Sequence, residues 1–395
     1  MTIHNIAIIG AGIGGLASAI FLARHGYSVT IYEQAEQAQP VGAGFLLQPP
    51  GQVVLDQLGV LDSILQDAVP ILGLQSKTVG GYSILDLDYR NLKGTPRHGL
   101  GVQRRTIHDA LYRAAAALES VHFRWGHTVN RCETTKQHAT VTANECTDQY
   151  DLCIIASGAN SDLANTLFER RRRRAYAWGC IWTTIDLPAS LSPTLLHQRC
   201  RRADRMMGIL PVLKTGDDYR AALYWSVKVA DVTQLDADLT RTIKSEITDF
   251  WPEAAASVES LGHDDFIAAT YRDVWTPTPF DRRVVAIGDA CHATSPQLGQ
   301  GCTMALLDTY WLSHHLQHAD DEIDAALGRW WQTRKRQLQY VRQLSRFLTP
   351  LYQSDNGLFA TFRNAVVAPM GKLPGFYGLQ LKTLASEVFL RQIDE

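Results

Sequence analysis

The chain has 395 residues, 46% of them hydrophobic and 20% charged, and a formal net charge of −2. That length exceeds one small core and suits two interleaved domains with a terminal helical segment. The near-neutral balance argues against a dedicated nucleic-acid binder. The seven cysteines fall in no CxxC or metal-ligand spacing, which points to reduced thiols, no metal and a cytoplasmic protein. No apolar stretch reaches the roughly 18 residues that a membrane span needs, so membrane contact is not expected. The N-terminus lacks the basic region of a signal peptide and runs straight into a glycine turn.

The first element is a short apolar strand, Ile6 to Ile9, followed by Gly10-Ala11-Gly12-Ile13-Gly14-Gly15, a helical pattern through Ala23, and a second strand from Ser28 to Tyr32 closed by Glu33. This is GxGxxG in the context it requires. Gly10 permits the tight turn, Gly12 lets backbone approach a pyrophosphate, and Gly15 lets the helix pack on the sheet. Glu33 stands where a carboxylate accepts hydrogen bonds from ribose hydroxyls. The motif alone does not separate NAD from FAD.

The loop 41–50 (VGAGFLLQPP) has Gly42, Ala43 and Gly44 where backbone can approach a flat ligand, and it carries Phe45 and Gln48 as candidate pocket residues. A helical pattern at Val53, Val54, Leu55 and Leu58 ends at Gly59. Residues 72–92 alternate around Gly80-Gly81 and read as a β-hairpin. A helix opens near Arg104, and 121–129 (VHFRWGHTV) reads as a strand returning to the first sheet. Residues 151–161 (DLCIIASGANS) form another apolar strand and turn. The arginine run Arg170 to Arg174 reads as a solvated loop or helix end rather than a phosphate grip.

From Ala175 to about Asp273 the pattern is strand-like, interrupted by a helix from Leu239 to Trp251. A regular strand puts Tyr176, Trp178, Cys180 and Trp182 on one face, and part of this sheet is expected to roof a pocket. Val284 to Ile287 form a buried strand that ends in Gly288-Asp289. A loop with Pro296, Gly299, Gln300 and Gly301 follows, and a helical pattern begins at Cys302. The Asp289 carboxylate can accept from sugar or polyol hydroxyls, and the uncapped amides after Gly301 point positive partial charge at whatever lies ahead. After residue 310 come a Trp-rich helix, a basic aromatic helix from Arg329 to Tyr352, and further helix from Phe359 to Leu390 broken at Pro369 and Pro374. The tail could cover the active site, dimerise or lie on a membrane; packing on the parent domain is the expectation.

These motifs together resemble the FAD-dependent aromatic hydroxylases, the single-component flavoprotein monooxygenases of the p-hydroxybenzoate hydroxylase type, from Ile6 to about Arg346. The resemblance implies an α/β fold. A Rossmann-type FAD-binding domain (1–71, 99–170 and 274–328) would interleave with an antiparallel-sheet substrate domain (72–98 and 171–273), and a C-terminal helical segment (329–395) would follow. It implies FAD, NADPH or NADH, O2, a small aromatic substrate, and hydroxylation through a flavin C4a-hydroperoxide. FAD would be held by Gly10, Gly12, Ile13, Gly14, Gly15, Glu33, Arg104, Val129, Asp289, Pro296, Gly299, Gly301, Cys302 and Thr303. In that frame Arg104 faces the ribityl and phosphate region, backbone at Val129 holds the adenine, Asp289 binds the ribityl chain, and Pro296 lies where flavin and substrate meet. The amides of Cys302 and Thr303 would stabilise charge on the ring. Phe45, Gln48, Tyr176, Trp178, Trp182 and Pro296 would line the substrate pocket.

The sequence departs from the family in three places. Ser157 replaces the aspartate of its Ala-Asp-Gly motif, Ala164 replaces the arginine that closes it, and Thr303 stands where asparagine is more common. The loss of charge at 157 puts the route of flavin reduction in doubt and leaves open an external reductase or supplied reduced flavin. His292 matches a histidine without an acid–base role and reads as structural. Residues 178–182 (WGCIW) lack the Trp-x-Trp-x-Ile-Pro pattern of the halogenases. A non-catalytic ligand carrier of the same fold need not retain Glu33, Arg104 and Asp289 together. No residue can be assigned a catalytic role from the sequence, and the oligomeric state is open.

Overall fold

A computed structural model of the chain describes residues 3–38, 44–94, 96–232, 236–319 and 322–393. The apolar runs of the two ends and the middle of the chain lie side by side. Their order is Phe280–Asp281, Val284–Ala286, Leu152–Ile155, Asn5–Ile9, Ser28–Tyr32 and Val121–Arg124, and all but the first are parallel. Ile8 sits between Ile154 and Ile31, each fully buried, as expected of strands covered on both faces. Helices Ile13–Arg24, Arg104–Ala116 and Gly301–Gln317 share one core with this sheet. Only 121–124 of the expected 121–129 strand joins it. Val129–Thr134 begins a separate three-stranded antiparallel sheet with Ala139–Ala143 and Cys146–Tyr150, because Gly126, at φ +67°, turns the chain away.

The second layer is a seven-stranded sheet in the order Ile267–Trp275, Arg172–Asp186, Asp218–Lys228, Arg205–Thr215, Leu195–Arg201, Gly73–Thr78 and Ser83–Asp88. The hairpin around Gly80-Gly81 forms its far edge. The sheet is antiparallel except where Leu195–Arg201 pairs parallel with Gly73–Thr78. Helix Ala237–Phe250 covers one face through Ile243, Ile247 and Phe250, which pack on Ile181, Leu223 and Trp225. Of the arginine run, Arg170 and Arg171 lie in the turn and loop expected, but the other three do not. Arg172, Arg173 and Arg174 open the strand Arg172–Asp186 and pair with Trp275, Val274 and Asp273 while remaining exposed.

A small sheet of Phe45–Leu47, Gly99–Val102 and Val69–Ile71 bridges the two layers. It approaches the large sheet so closely that a side chain at Gly101 would collide with the Pro211 carbonyl. The part of the glycine loop at Val41, Gly42 and Ala43 lies outside the described residues.

The C-terminal segment packs on the rest of the chain. One helix, Ile323–Tyr352, runs without a break through Gly328 and holds Trp330 and Trp331. The path from Gly357 to Met370 also passes Pro369 without breaking, because a π-turn at Arg363–Val367 widens the helix just ahead of the residue that lacks an N–H. It stops before Pro374, which opens the last helix, Pro374–Leu384.

The joint between these parts is the fully buried Asp308. Its Oδ2 accepts from the Gly288 amide at 3.0 Å and pairs with His292 Nε2 at 2.5 Å; Oδ1 accepts from Arg334 Nε at 2.8 Å. Trp330 Nε1 donates to the Asp308 carbonyl at 3.1 Å. Burial alone would raise this carboxyl, but His292 and Arg334 together hold it below the usual carboxylate range. Asp308→Ala leaves Arg334 buried without a counter-charge and is expected to cost about 3–5 kcal/mol in urea unfolding. With a folded pKa below the unfolded value of about 3.9, the stabilisation is complete above that pH. It is lost as pH falls through the folded value, so the variant's acid unfolding should lack this step.

Candidate active site

The first turn is built by sterics. Gly10 sits at φ +107°, and a Cβ there would stand 2.7 Å from the Ala156 carbonyl oxygen. A side chain at Gly15 would collide with the Gly10 carbonyl. Gly12 is different: a Cβ there meets nothing within 4 Å, so its backbone faces open space. Glu33 holds the turn from the other side, with Oε2 accepting from the Ala11 amide at 2.8 Å and Oε1 from the Ala35 amide at 3.0 Å.

The second wall is the stretch after Ile287. Gly288, at φ +55°, releases the strand into a short turn that begins at Asp289. Pro296–Leu298 form a 3-10 turn, Gly299 is left-handed at φ +61°, and the helix Gly301–Gln317 starts after Gln300 with no side-chain cap. It begins one residue earlier than the pattern suggests. Its first-turn amides therefore have no side-chain partner at the cap and present partial positive charge. Thr303 is fully buried, and its Oγ1 accepts from the Gln48 amide at 3.2 Å, tying the 44–50 segment to this helix.

Between these walls runs a groove of about 400 Å³. It brings together Gly12, Ile13, Gly14, Arg104, Asp289, Pro296, Gly299, Gly301 and Cys302. Gly10, Gly15, Glu33 and Thr303 are not among its lining residues but adjoin those that are. Val129 is not among its lining residues; the amides of Gly126 and His127, bonded to the carbonyls of Ala35 and Glu33, hold the chain ahead of it beside the Glu33 turn. His292 borders the groove, but its Nε2 is taken by Asp308, which agrees with a structural role.

At its inner end the groove meets a second cavity, of about 110 Å³, and the two share Phe45, Trp182, Tyr271, Pro296 and Gly299. The seven-stranded sheet roofs this cavity with Cys180, Trp182, Met206, Leu210, Ala222 and Tyr224. Tyr176 and Trp178 are not brought to it. The pairing of their strand with Ile267–Trp275 shifts register between Ala175 and Gly179, and Trp178 lies under Lys228, whose Nζ is 5.8 Å from the ring centre. Gln48 also stays out of the lining. Its Oε1 accepts from the Tyr89 hydroxyl at 2.6 Å, which holds it behind Gly299. The tail completes the wall: Leu384 lines the cavity, and the Thr383 carbonyl accepts from Gln300 Nε2.

Two features escaped the sequence pattern. Ser157 does not project a free hydroxyl; it donates to Ser161 Oγ at 2.7 Å, and Ser161 caps the helix Asp162–Leu167. Arg171 donates from Nε to the Ala290 carbonyl at 3.0 Å and from Nη2 to that of Ala159 at 3.2 Å. It thereby fastens the turn after Ile155 to the turn after Asp289. Nothing within a run of five arginines distinguishes the one that does this.

The sequence profile of the family described as FAD binding domain matches residues 4–324. The chain belongs to this FAD-binding family. It is 24% identical over 373 residues to the 2-heptyl-3-hydroxy-4(1H)-quinolone synthase of Pseudomonas aeruginosa strain PAO1, covering 92% of this chain and 93% of that one. Its fold is similar to that of Klebsiella pneumoniae HpxO complexed with FAD and uric acid, with a TM-score of 0.80, 20% identity, and 97% of each chain covered. It is also similar to p-nitrophenol 4-monooxygenase PnpA from Pseudomonas putida DLL-E4, with a TM-score of 0.81, 17% identity, and 99% and 100% covered. The reading of the chain as an FAD-dependent monooxygenase agrees with these relatives.

The residues present fit FAD. The open face of Gly12 leaves room for a pyrophosphate, Asp289 offers acceptors to a polyol, and the helix start at Gly301 faces the same groove. Gly12→Ala should fold with a stability within about 0.5 kcal/mol of wild type, because its methyl meets no protein atom. Its FAD affinity should nevertheless fall roughly tenfold or more, read by flavin fluorescence on titrating apoprotein. Gly15→Ala should instead fail in thermal unfolding before cofactor is added.

Proposed function

We propose that the protein hydroxylates a small aromatic compound with O2, using FAD reduced by NADH or NADPH. The observation that carries this reading is the junction at Phe45, Trp182, Tyr271, Pro296 and Gly299, where a cofactor-sized groove opens into a separate apolar cavity. Bound FAD would supply the redox chemistry, passing two electrons from the nicotinamide to O2 so that one oxygen atom enters the ring and the other leaves as water. The chain's own residues do the rest. Glu33 and Asp289 accept from the sugar and polyol hydroxyls, and Arg104 offers positive charge to the phosphate region. Amides at Gly301, Cys302 and Thr303 favour negative charge at the inner end of the groove. Phe45, Trp182 and Pro296 shield that end from water.

Ser157 favours a second reading of the reduction step. Its position carries no charge and its hydroxyl is committed to Ser161, so a nicotinamide would find no carboxylate there. Electrons would then come from a separate reductase or from reduced flavin. Purified protein should be yellow. Anaerobic mixing with NADH and with NADPH, with and without candidate arenes, should bleach the flavin. Bleaching by dithionite alone would transfer support to the second reading, and a colourless protein that cannot be reconstituted would sink both in favour of a ligand carrier. Asp289→Ala should lose most of its FAD through purification, measured as the ratio of flavin to protein absorbance.

A further inference from the structure

Among the described residues the cavity has no aspartate, glutamate, lysine, arginine or histidine in its lining. The groove beside it is the opposite, bordered by Arg104, Asp289 and His292. Charge is thus confined to the cofactor side of the junction. The wall cannot create charge near neutrality either. Burial pushes the Cys180 thiol up to about 12 and raises the Tyr224 and Tyr271 hydroxyls well above their usual range, so none of the three is a base at that pH.

Most polar atoms of the wall have partners within the protein. Gln198 Nε2 donates to the Tyr224 hydroxyl at 2.8 Å, Gln297 Nε2 to Gln353 Oε1 at 3.1 Å, and Gln353 Nε2 to the Gly179 carbonyl at 3.2 Å. The exception is Trp182. Its Nε1 is buried and meets no acceptor of the protein, and its residue borders both the groove and the cavity. Buried donors usually have partners. Of the described residues' unpaired tryptophan N–H groups, at Trp182, Trp225, Trp251 and Trp311, that of Trp182 alone belongs to a residue lining the cavity, which is where a ligand acceptor could meet it.

We propose that the cavity selects an uncharged arene bearing an apolar substituent, and that the Trp182 N–H orients it by donating to an oxygen on its ring. This rests on the hydroxylase reading above. A carboxylated arene entering the cavity would give up its hydration with no counter-charge to replace it. An alkyl substituent of similar length would gain by burial against Leu74, Leu196, Met206, Leu210 and Leu384.

The test compares 4-propylphenol, its carboxylated counterpart 3-(4-hydroxyphenyl)propanoate, and propylbenzene. Each is titrated into the FAD-loaded protein near neutral pH, and Kd is read from the shift of the flavin absorption bands. Wild type should bind 4-propylphenol at least about tenfold tighter than the propanoate. W182F, which keeps a ring but removes the N–H, should weaken 4-propylphenol by roughly tenfold and leave propylbenzene within about twofold. Q198R keeps a donor toward Tyr224 and adds the missing charge, so it should narrow the gap between the phenol and the propanoate. Equal or tighter binding of the propanoate by wild type would overturn the proposal, as would a W182F that weakens phenol and propylbenzene alike. A protein that binds FAD and orders these ligands as expected, yet oxidises none of a wider set of uncharged arenes under reducing conditions, would leave the cavity proposal standing and count against hydroxylation.

Discussion

A single buried carboxylate joins the site to the frame. Asp308 accepts from the Gly288 amide where the last parallel strand ends, and the same group binds His292 and Arg334. Gly288 is at φ +55°, a conformation that L side chains rarely adopt, so the backbone just before Asp289 is held by more than local preference. Because Arg334 belongs to the long C-terminal helix, the aim of Asp289 is coupled to a segment that follows it by some forty positions. A carboxylate with no charged partner at this depth would be too costly to keep ionised. The three groups therefore stand or fall together.

The same helix reaches the other layer. Arg342 binds Asp273 at 2.8 and 3.1 Å, Trp331 donates to the Pro277 carbonyl at 3.0 Å, and Gln353, just past its end, donates to Gly179. Strand Ile267–Trp275 carries Tyr271 to the cavity, and Gly179 precedes Cys180. One helix thus clamps the cofactor layer and the roof of the cavity to each other. Leu384 then closes the wall, so the tail, whose sequence admitted several roles, is part of the enclosure.

The division of charge gives this architecture its functional sense. On the proposed reading, the ionic and polyol parts of a dinucleotide would find donors, acceptors and a helix start at Gly12, Arg104, Asp289 and Gly301, which line the groove. The proposed arene would need a dry enclosure, and Cys180, Met206, Leu210 and Ala222 of the sheet line the cavity that would hold it. Gly299 and Pro296 stand where one environment gives way to the other. Ser157, one of the departures from the family pattern, lies on the groove side and donates to Ser161, and Arg171 fastens two turns there.

The cofactor-side frame was legible in the sequence because its determinants are local. Gly15 is demanded by the Gly10 carbonyl five positions before it and Gly10 by its own φ of +107°, while the run Ile6 to Ile9, closed by that turn, reads as a buried strand. The strand–Gly–Asp–helix order at 284–301 likewise fixes where amides and a carboxylate can point. The cavity was not legible in the same way. Cys180 and Trp182 line it while Tyr176 and Trp178 of the same strand do not, because the lining depends on which stretch of that strand the other elements enclose. Arg171 is chemically identical to its four neighbours until the fold places two carbonyls in front of it. The lack of charge around the cavity, and the unpaired N–H of Trp182, are properties of residues distant in the chain that meet only when two layers and a helix close on one another. Backbone constraints act over a few residues and can be read in order; the lining of a cavity is a sum over contacts that only the folded chain makes.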